Sequence, residues 1–94
     1  MKEDDIKNYI ASYLPNWTIK EGKLSLEIKT QDWNESMAIA NMISYLAEKF
    51  NHHPELFISY SRMKINLITY SENAITDKDL KLAEKITNML AMDT

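Results

Sequence analysis

The chain is 94 residues long, 45% hydrophobic and 27% charged, with a formal net charge of −3 and no cysteine. That length argues for one domain over residues 1–94, the balance excludes a disordered chain, and the missing cysteine excludes a disulfide framework, a thiolate nucleophile and a cysteine-based zinc site. No Lys/Arg cluster stands out, so a nucleic-acid surface built on phosphate neutralisation is not expected.

The first residues, Met1-Lys2-Glu3-Asp4-Asp5, are acidic with no apolar run behind them. No signal peptide is expected there. No stretch approaches the ~18 apolar residues of a membrane span, so the expectation is a cytoplasmic protein without a membrane partner. A chain this short buries only roughly 60–65% of its unfolded surface, and an oligomer interface would add to its modest stability.

Ile6, Tyr9, Ile10, Tyr13 and Leu14 recur at helical spacing. Asp4 or Asp5 is the expected cap of this first helix, and Pro15 ends it. Trp17 and Ile19 alternate with polar residues, Glu21-Gly22 signals a turn, and Leu24, Leu26 and Ile28 alternate with Ser25, Glu27 and Lys29. This pattern predicts a hairpin with one buried face.

Asp32 and Glu35 stand at capping-box spacing. A helix is expected from there to about Phe50, with Ile39, Ile43, Leu46 and Phe50 as its apolar stripe, widened by Met42 and Ala47. Pro54 prevents its continuation. Leu56–Tyr60 and Met63–Tyr70 then read as strands joined at Ser61-Arg62. The mixed face of Lys64, Asn66, Ile68 and Tyr70 points to a site or a subunit contact. After a loop over Ser71–Ile75, Thr76 and Asp79 repeat the capping-box spacing, and Leu80, Ala83, Ile86 and Leu90 mark a last amphipathic helix.

The predicted order is α-β-β-α-β-β-α: an α+β fold with a four-stranded antiparallel sheet and helices packed on one face. Four strands do not close into a barrel, so edges remain exposed, and edge pairing into a dimer would cover one.

The two histidines of the chain, His52 and His53, are adjacent, between a helix end and a strand start. Histidine suits proton transfer in both directions because its unperturbed pKa is about 6.5. Glu48, four residues before His52, lies one helical turn away and would fix its tautomer by a hydrogen bond. The plainer alternative is a histidine favoured by a helix C-terminus. A metal site would lack a third ligand, so neither metal nor cofactor is expected. Asp79 has both a capping and a functional reading, and Tyr60 and Tyr70 suit a sheet in any case.

Taken together, these residues form a recognisable pattern. The run Glu48-Lys49-Phe50-Asn51-His52-His53-Pro54-Glu55, with Ala47 before it, closely resembles the Ala-Glu-x-x-Asn-His-His-Pro signature of pterin-4a-carbinolamine dehydratases. The likeness extends over about residues 33 to 90. It includes Tyr60 at an aromatic position and the Thr76-Asp77-Lys78-Asp79 run with Leu80, Leu82 and Ala83. The resemblance implies loss of water from a 4a-hydroxytetrahydropterin to give the quinonoid dihydropterin, with a pterin substrate and a homodimer or dimer of dimers. It implies an acid/base role for His52, pterin binding by His53 with Pro54 and Tyr60, support of His52 by Glu48, and support of position 70 by Asp79. Tyr70 stands where the family has a third histidine, so activity is expected to persist at a reduced level. The same resemblance admits a partner-binding or assembly scaffold without catalysis.

Overall fold

Alternation along the strands sorts the sheet into two faces, and the helices cover the apolar one. The computed structural model describes residues 2–91. Along the chain run α1 (Glu3–Tyr13), β1 (Thr18–Lys20), β2 (Lys23–Lys29), α2 (Trp33–Lys49), β3 (Glu55–Ile58), β4 (Arg62–Leu67) and α3 (Asp77–Met89). This is the predicted order, and the four strands form one antiparallel sheet in the order β1-β2-β4-β3.

The first hairpin turns at Glu21 and Gly22, with φ of 52° and 76°. Lys20 pairs with Lys23, so the loop is two residues long, and positive φ at both central positions is what such a turn demands. β2 then pairs with β4 from Leu24–Leu67 to Lys29–Arg62. The register places Leu24, Leu26, Met63, Ile65 and Leu67 on the core face, all at 2% exposure or less. Ile10, Leu14, Ile43, Leu80, Leu82, Ala83 and Ile86 from the helices close over them. Trp17 is buried in the same core, and its indole N–H donates to Thr87 Oγ1 at 2.9 Å. That bond satisfies the polar end of the largest core side chain.

Four local expectations are corrected. α1 starts at Glu3 with Lys2 as N-cap, so Asp4 and Asp5 do not cap it. They lie in the first turn instead, where a carboxylate complements the helix dipole. In α2, Asp32 caps as expected, but Glu35 accepts from the backbone N–H of Gln31 rather than completing the box on Asp32. Its buried positions are Ser36, Ala40, Ile43 and Ala47, while Met42 and Phe50 stay 43% and 41% exposed. Small residues let α2 sit close to its neighbours, and Ser36 is tolerated inside because its hydroxyl bonds Thr30 Oγ1 at 2.6 Å. Finally, the β3–β4 hairpin turns earlier than Ser61-Arg62: Ser59 donates to the Arg62 carbonyl from both its backbone N–H and its hydroxyl.

Candidate active site

The end of α2 decides where the histidines go. Phe50 is its C-cap and Asn51 takes a left-handed conformation, φ 50°. The N–H of Asn51 donates to Glu48 O at 3.3 Å and that of His52 to Ala47 O at 3.0 Å. Those two bonds define a Schellman ending, with asparagine in the place often taken by glycine. The reversal removes His52 from the helical surface, so the one-turn spacing from Glu48 no longer describes where its ring lies.

His52 reaches α3 instead. Its Nε2 lies 2.5 Å from Asp79 Oδ1, and the Asp79 side chain is fully buried. Asp79 Oδ2 accepts from Thr69 Oγ1 and from the backbone N–H of Thr76, both at 2.8 Å. The second of these bonds completes the capping box of α3. Thr76 Oγ1 lies 2.7 Å from Thr69 Oγ1 and must donate to it, since the Thr69 hydrogen is committed to Asp79. Both groups at Oδ2 are therefore donors, and Nε2–H of His52 would complete the set at Oδ1. With Nε2 as that donor, the neutral imidazole carries its lone pair on Nδ1. An imidazole held in that tautomer offers Nδ1 as the acceptor a general base requires.

His53 is the residue that meets Glu48, through Nε2 and Oε2. Both side chains are largely exposed, so this pair contributes little to stability. The expected pairings of Glu48 with His52 and of Asp79 with position 70 are thus exchanged for Glu48 with His53 and Asp79 with His52. The physical reason is the left-handed Asn51, which turns the chain between the helix and the histidines.

His52, His53, Pro54 and Tyr70 line one cleft of about 420 Å³, together with Glu55 and Lys78. Tyr70 is 63% exposed. It lines the cleft together with Glu55. Glu55 accepts from Lys23 Nζ at 2.7 Å. That ammonium, acting first, holds the Glu55 carboxyl below the ordinary carboxylate value, with Tyr70 and Asn66 adding to it against the opposing effect of burial. The same bond raises Lys23 above the ordinary lysine value.

Tyr60 does not join this cleft. It follows the far end of β3, six residues beyond Pro54 and roughly 15–20 Å away at strand rise. Conversely, Thr69, Glu55 and Lys78 belong to the site and were not singled out. Thr69 falls within the predicted strand Met63–Tyr70, and Glu55 closes the histidine run with no role of its own. Lys78 follows the Thr76 cap, and only the closeness of the α3 start to the histidines reveals it. Among the described residues, no three His, Cys, Asp or Glu side chains converge as a metal would require.

The sequence profile of the family described as Pterin 4 alpha carbinolamine dehydratase matches residues 1–89. A protein of Metallosphaera sedula, provisionally named pterin-4-alpha-carbinolamine dehydratase, is 38% identical over 79 residues, covering 84% of this chain and 82% of that protein. A relative of the same provisional name from Aquifex aeolicus is 30% identical over 90 residues, covering 96% and 90%. The crystal structure of a transcriptional coactivator/pterin dehydratase from Brucella melitensis superposes with a TM-score of 0.85 at 27% identity, over 95% of this chain and 96% of that one. A pterin dehydratase-like protein identified as a RuBisCO assembly factor in the alpha-carboxysome has the same fold, at a TM-score of 0.66 and 13% identity over 82% and 89% of the two chains.

Proposed function

The chain belongs to the pterin-4a-carbinolamine dehydratase family, and from that premise we propose that it removes water from a 4a-hydroxytetrahydropterin to give the quinonoid dihydropterin, the step that returns the pterin to the tetrahydropterin cycle. The observation that carries this reading is His52, held by the buried Asp79 and opening on a cleft shared with Tyr70.

The reaction needs one proton taken and one given. Nδ1 of His52 takes the proton from the ring nitrogen beside the carbinolamine carbon. The freed electron pair forms the C=N bond as the C–O bond breaks, and the departing hydroxyl leaves as water once protonated. Asp79 keeps the ring oriented and complements the charge His52 gains. His53, steadied by Glu48, and Pro54 line the pterin's position. Tyr70 donates a proton or a hydrogen bond to the leaving hydroxyl. Tyrosine, with an ordinary pKa of about 10, is a donor rather than a base at neutral pH. Histidine serves both directions, so Tyr70→His is expected to turn over faster than the native chain. Equal or slower turnover counts against this role.

The test is stopped-flow dehydration of a freshly generated 4a-hydroxytetrahydropterin, with and without the protein and its His52→Ala variant. Acceleration by the protein, lost in the variant, is the expected result. No acceleration by the folded chain sinks the enzyme reading. It would favour the alternative, a partner-binding scaffold, for which Tyr70 in the place of a family histidine is the supporting feature. The exposed edges β1 and β3 support assembly into a dimer or dimer of dimers, which sedimentation equilibrium would measure. Among the described residues no helix is long and apolar enough to cross a membrane, and a cytoplasmic location accords with that reading.

A further inference from the structure

The face of the sheet that the helices leave open carries a second hollow, unused by the acid–base centre. It is about 420 Å³ in volume and is bounded by Lys20, Lys23, Lys64, Ser25 and Asn66, with Glu21 at its rim. The strand period and the register bring these residues together. Lys20 lies opposite Lys23, Ser25 opposite Asn66, and Lys64 two positions along β4 from Asn66. Three ammonium groups thus gather on a chain whose formal charge is −3.

Lys23 is committed to Glu55. Lys64 rests over the Phe57 ring, 4.8 Å from its centroid. Neither Lys64 nor Lys20 has an ion-pair partner among the described residues. Glu27, opposite Lys64 in the register, and Glu21 offset part of this charge.

The hollow adjoins the active-site cleft. Glu55 and Tyr70 line the cleft. Glu55 grips Lys23, which lines the hollow, and stands opposite Asn66 of the hollow in the strand register. The charge of Glu55 at this junction is already compensated by Lys23. A molecule reacting at His52 and extending past Tyr70 would cross this neutralised pair and meet the ammonium groups of Lys20 and Lys64, the latter roughly 7 Å beyond Asn66 along the strand.

Resting on the dehydratase reading, we propose that the hollow is a subsite for an anionic substituent, a phosphate or a carboxylate, on the side chain of the pterin. Lysine suits this task as a compact cationic donor that does not demand a planar partner. A neutral side chain gains nothing from these groups. Because the two free lysines are exposed and partly offset, their joint effect should be about 10-fold, and it should weaken with salt.

The experiment compares kcat/KM, at fixed low ionic strength, for 4a-hydroxytetrahydropterins carrying a 6-methyl group, a 6-hydroxymethyl phosphate or a p-aminobenzoylglutamate. Wild type is measured beside the K20Q/K64Q double variant. A wild-type preference of about 10-fold for an anionic substrate over the methyl one, with the ratio falling toward one in the variant, supports the subsite. A preference for the phosphate alone or the glutamate alone tells the two sources apart. Turnover of all three at equal efficiency overturns the subsite and leaves the dehydratase standing. If no pterin is turned over, the enzyme reading fails, and equilibrium binding of the corresponding dihydropterins, followed by ring fluorescence, decides the subsite separately. Tighter binding of an anionic pterin that the double variant abolishes upholds it, and equal binding or none overturns it.

Discussion

The carboxylate of Asp79 serves two tasks with two oxygens. Oδ2 caps α3 through Thr76 N–H and takes the Thr69 hydroxyl, while Oδ1 holds His52. Asp79→Asn keeps the shape but gives one oxygen an N–H₂ that faces donors. If the amide turns its nitrogen toward His52, Nδ1 must carry the hydrogen and the base is lost. If it turns the nitrogen toward Thr69 and Thr76, the cap is lost. We therefore expect turnover to fall by about 10²–10⁴, with KM changed far less, and stability to drop by about 1–3 kcal/mol from the unsatisfied buried group. Dehydration kinetics and urea unfolding of the same variant measure the two effects. Loss of stability with normal turnover would reduce Asp79 to a cap. Asp79 also marks what can be read in advance: the spacing Thr76-x-x-Asp79 announced the cap, and the likeness to a family announced function. That both tasks belong to one side chain, and that its partner is His52, depends on where α2 ends and α3 begins in space.

At the scale of the element, the ending of α2 is the feature on which the site turns. The helix itself was legible: Asp32 and Pro54 bracket it, and the apolar repeat fills it. Its ending was less so. Periodicity carried on to Phe50, and helical spacing then suggested that Glu48 meets His52. A single left-handed residue breaks that inference, because spacing predicts contacts only while the backbone stays helical. Exposure of Met42 and Phe50 escaped the pattern for a related reason. Composition marks them as apolar, but small residues at Ser36, Ala40 and Ala47 set the closest approach of the helix. Asn51 can be tested directly. Asparagine tolerates φ 50° and glycine adopts it freely, whereas a β-branched side chain is strained there. Asn51→Gly should fold and turn over much as the native chain does. Asn51→Val should lose about 1–2 kcal/mol in urea unfolding and, by displacing His52 from Asp79, about 10-fold or more in turnover. Equal behaviour of the two variants would show that the left-handed turn does not position the histidine.

Across the whole molecule, one side of the sheet makes the core and the other carries charge, and the Lys23–Glu55 ion pair ties that second side together. Lys23 belongs to β2 and Glu55 to β3, with β4 lying between them. Long side chains span the two strand spacings, about 10 Å, and pass Asn66 of β4, which lies opposite Glu55 in the register. The pair thus bridges β2 and β3 across β4 at the end of the sheet nearest the candidate site. Its pH dependence has a definite sign. Glu55 titrates below its ordinary value of 4.5 in the folded chain, so its contribution is complete above that value and is lost as pH falls through the lowered one. Lys23 titrates above its ordinary 10.5, so its contribution is complete below that value and is lost as pH rises through the raised one. The pair is therefore at full strength from about pH 5 to pH 10. Both side chains are about one-third exposed, so solvent screening keeps the effect small. Glu55→Gln retains the size and an acceptor oxygen but removes the charge. Its urea midpoint should lie slightly below that of the native chain at pH 7, and the two should converge as pH falls below about 4, where the native carboxylate also loses its charge. A gap that stays constant down to pH 2 would assign the loss to packing rather than to the ion pair. In that case Lys23 would be free of Glu55 in solution and would face the hollow beside Lys20 and Lys64 as a third unpaired cation.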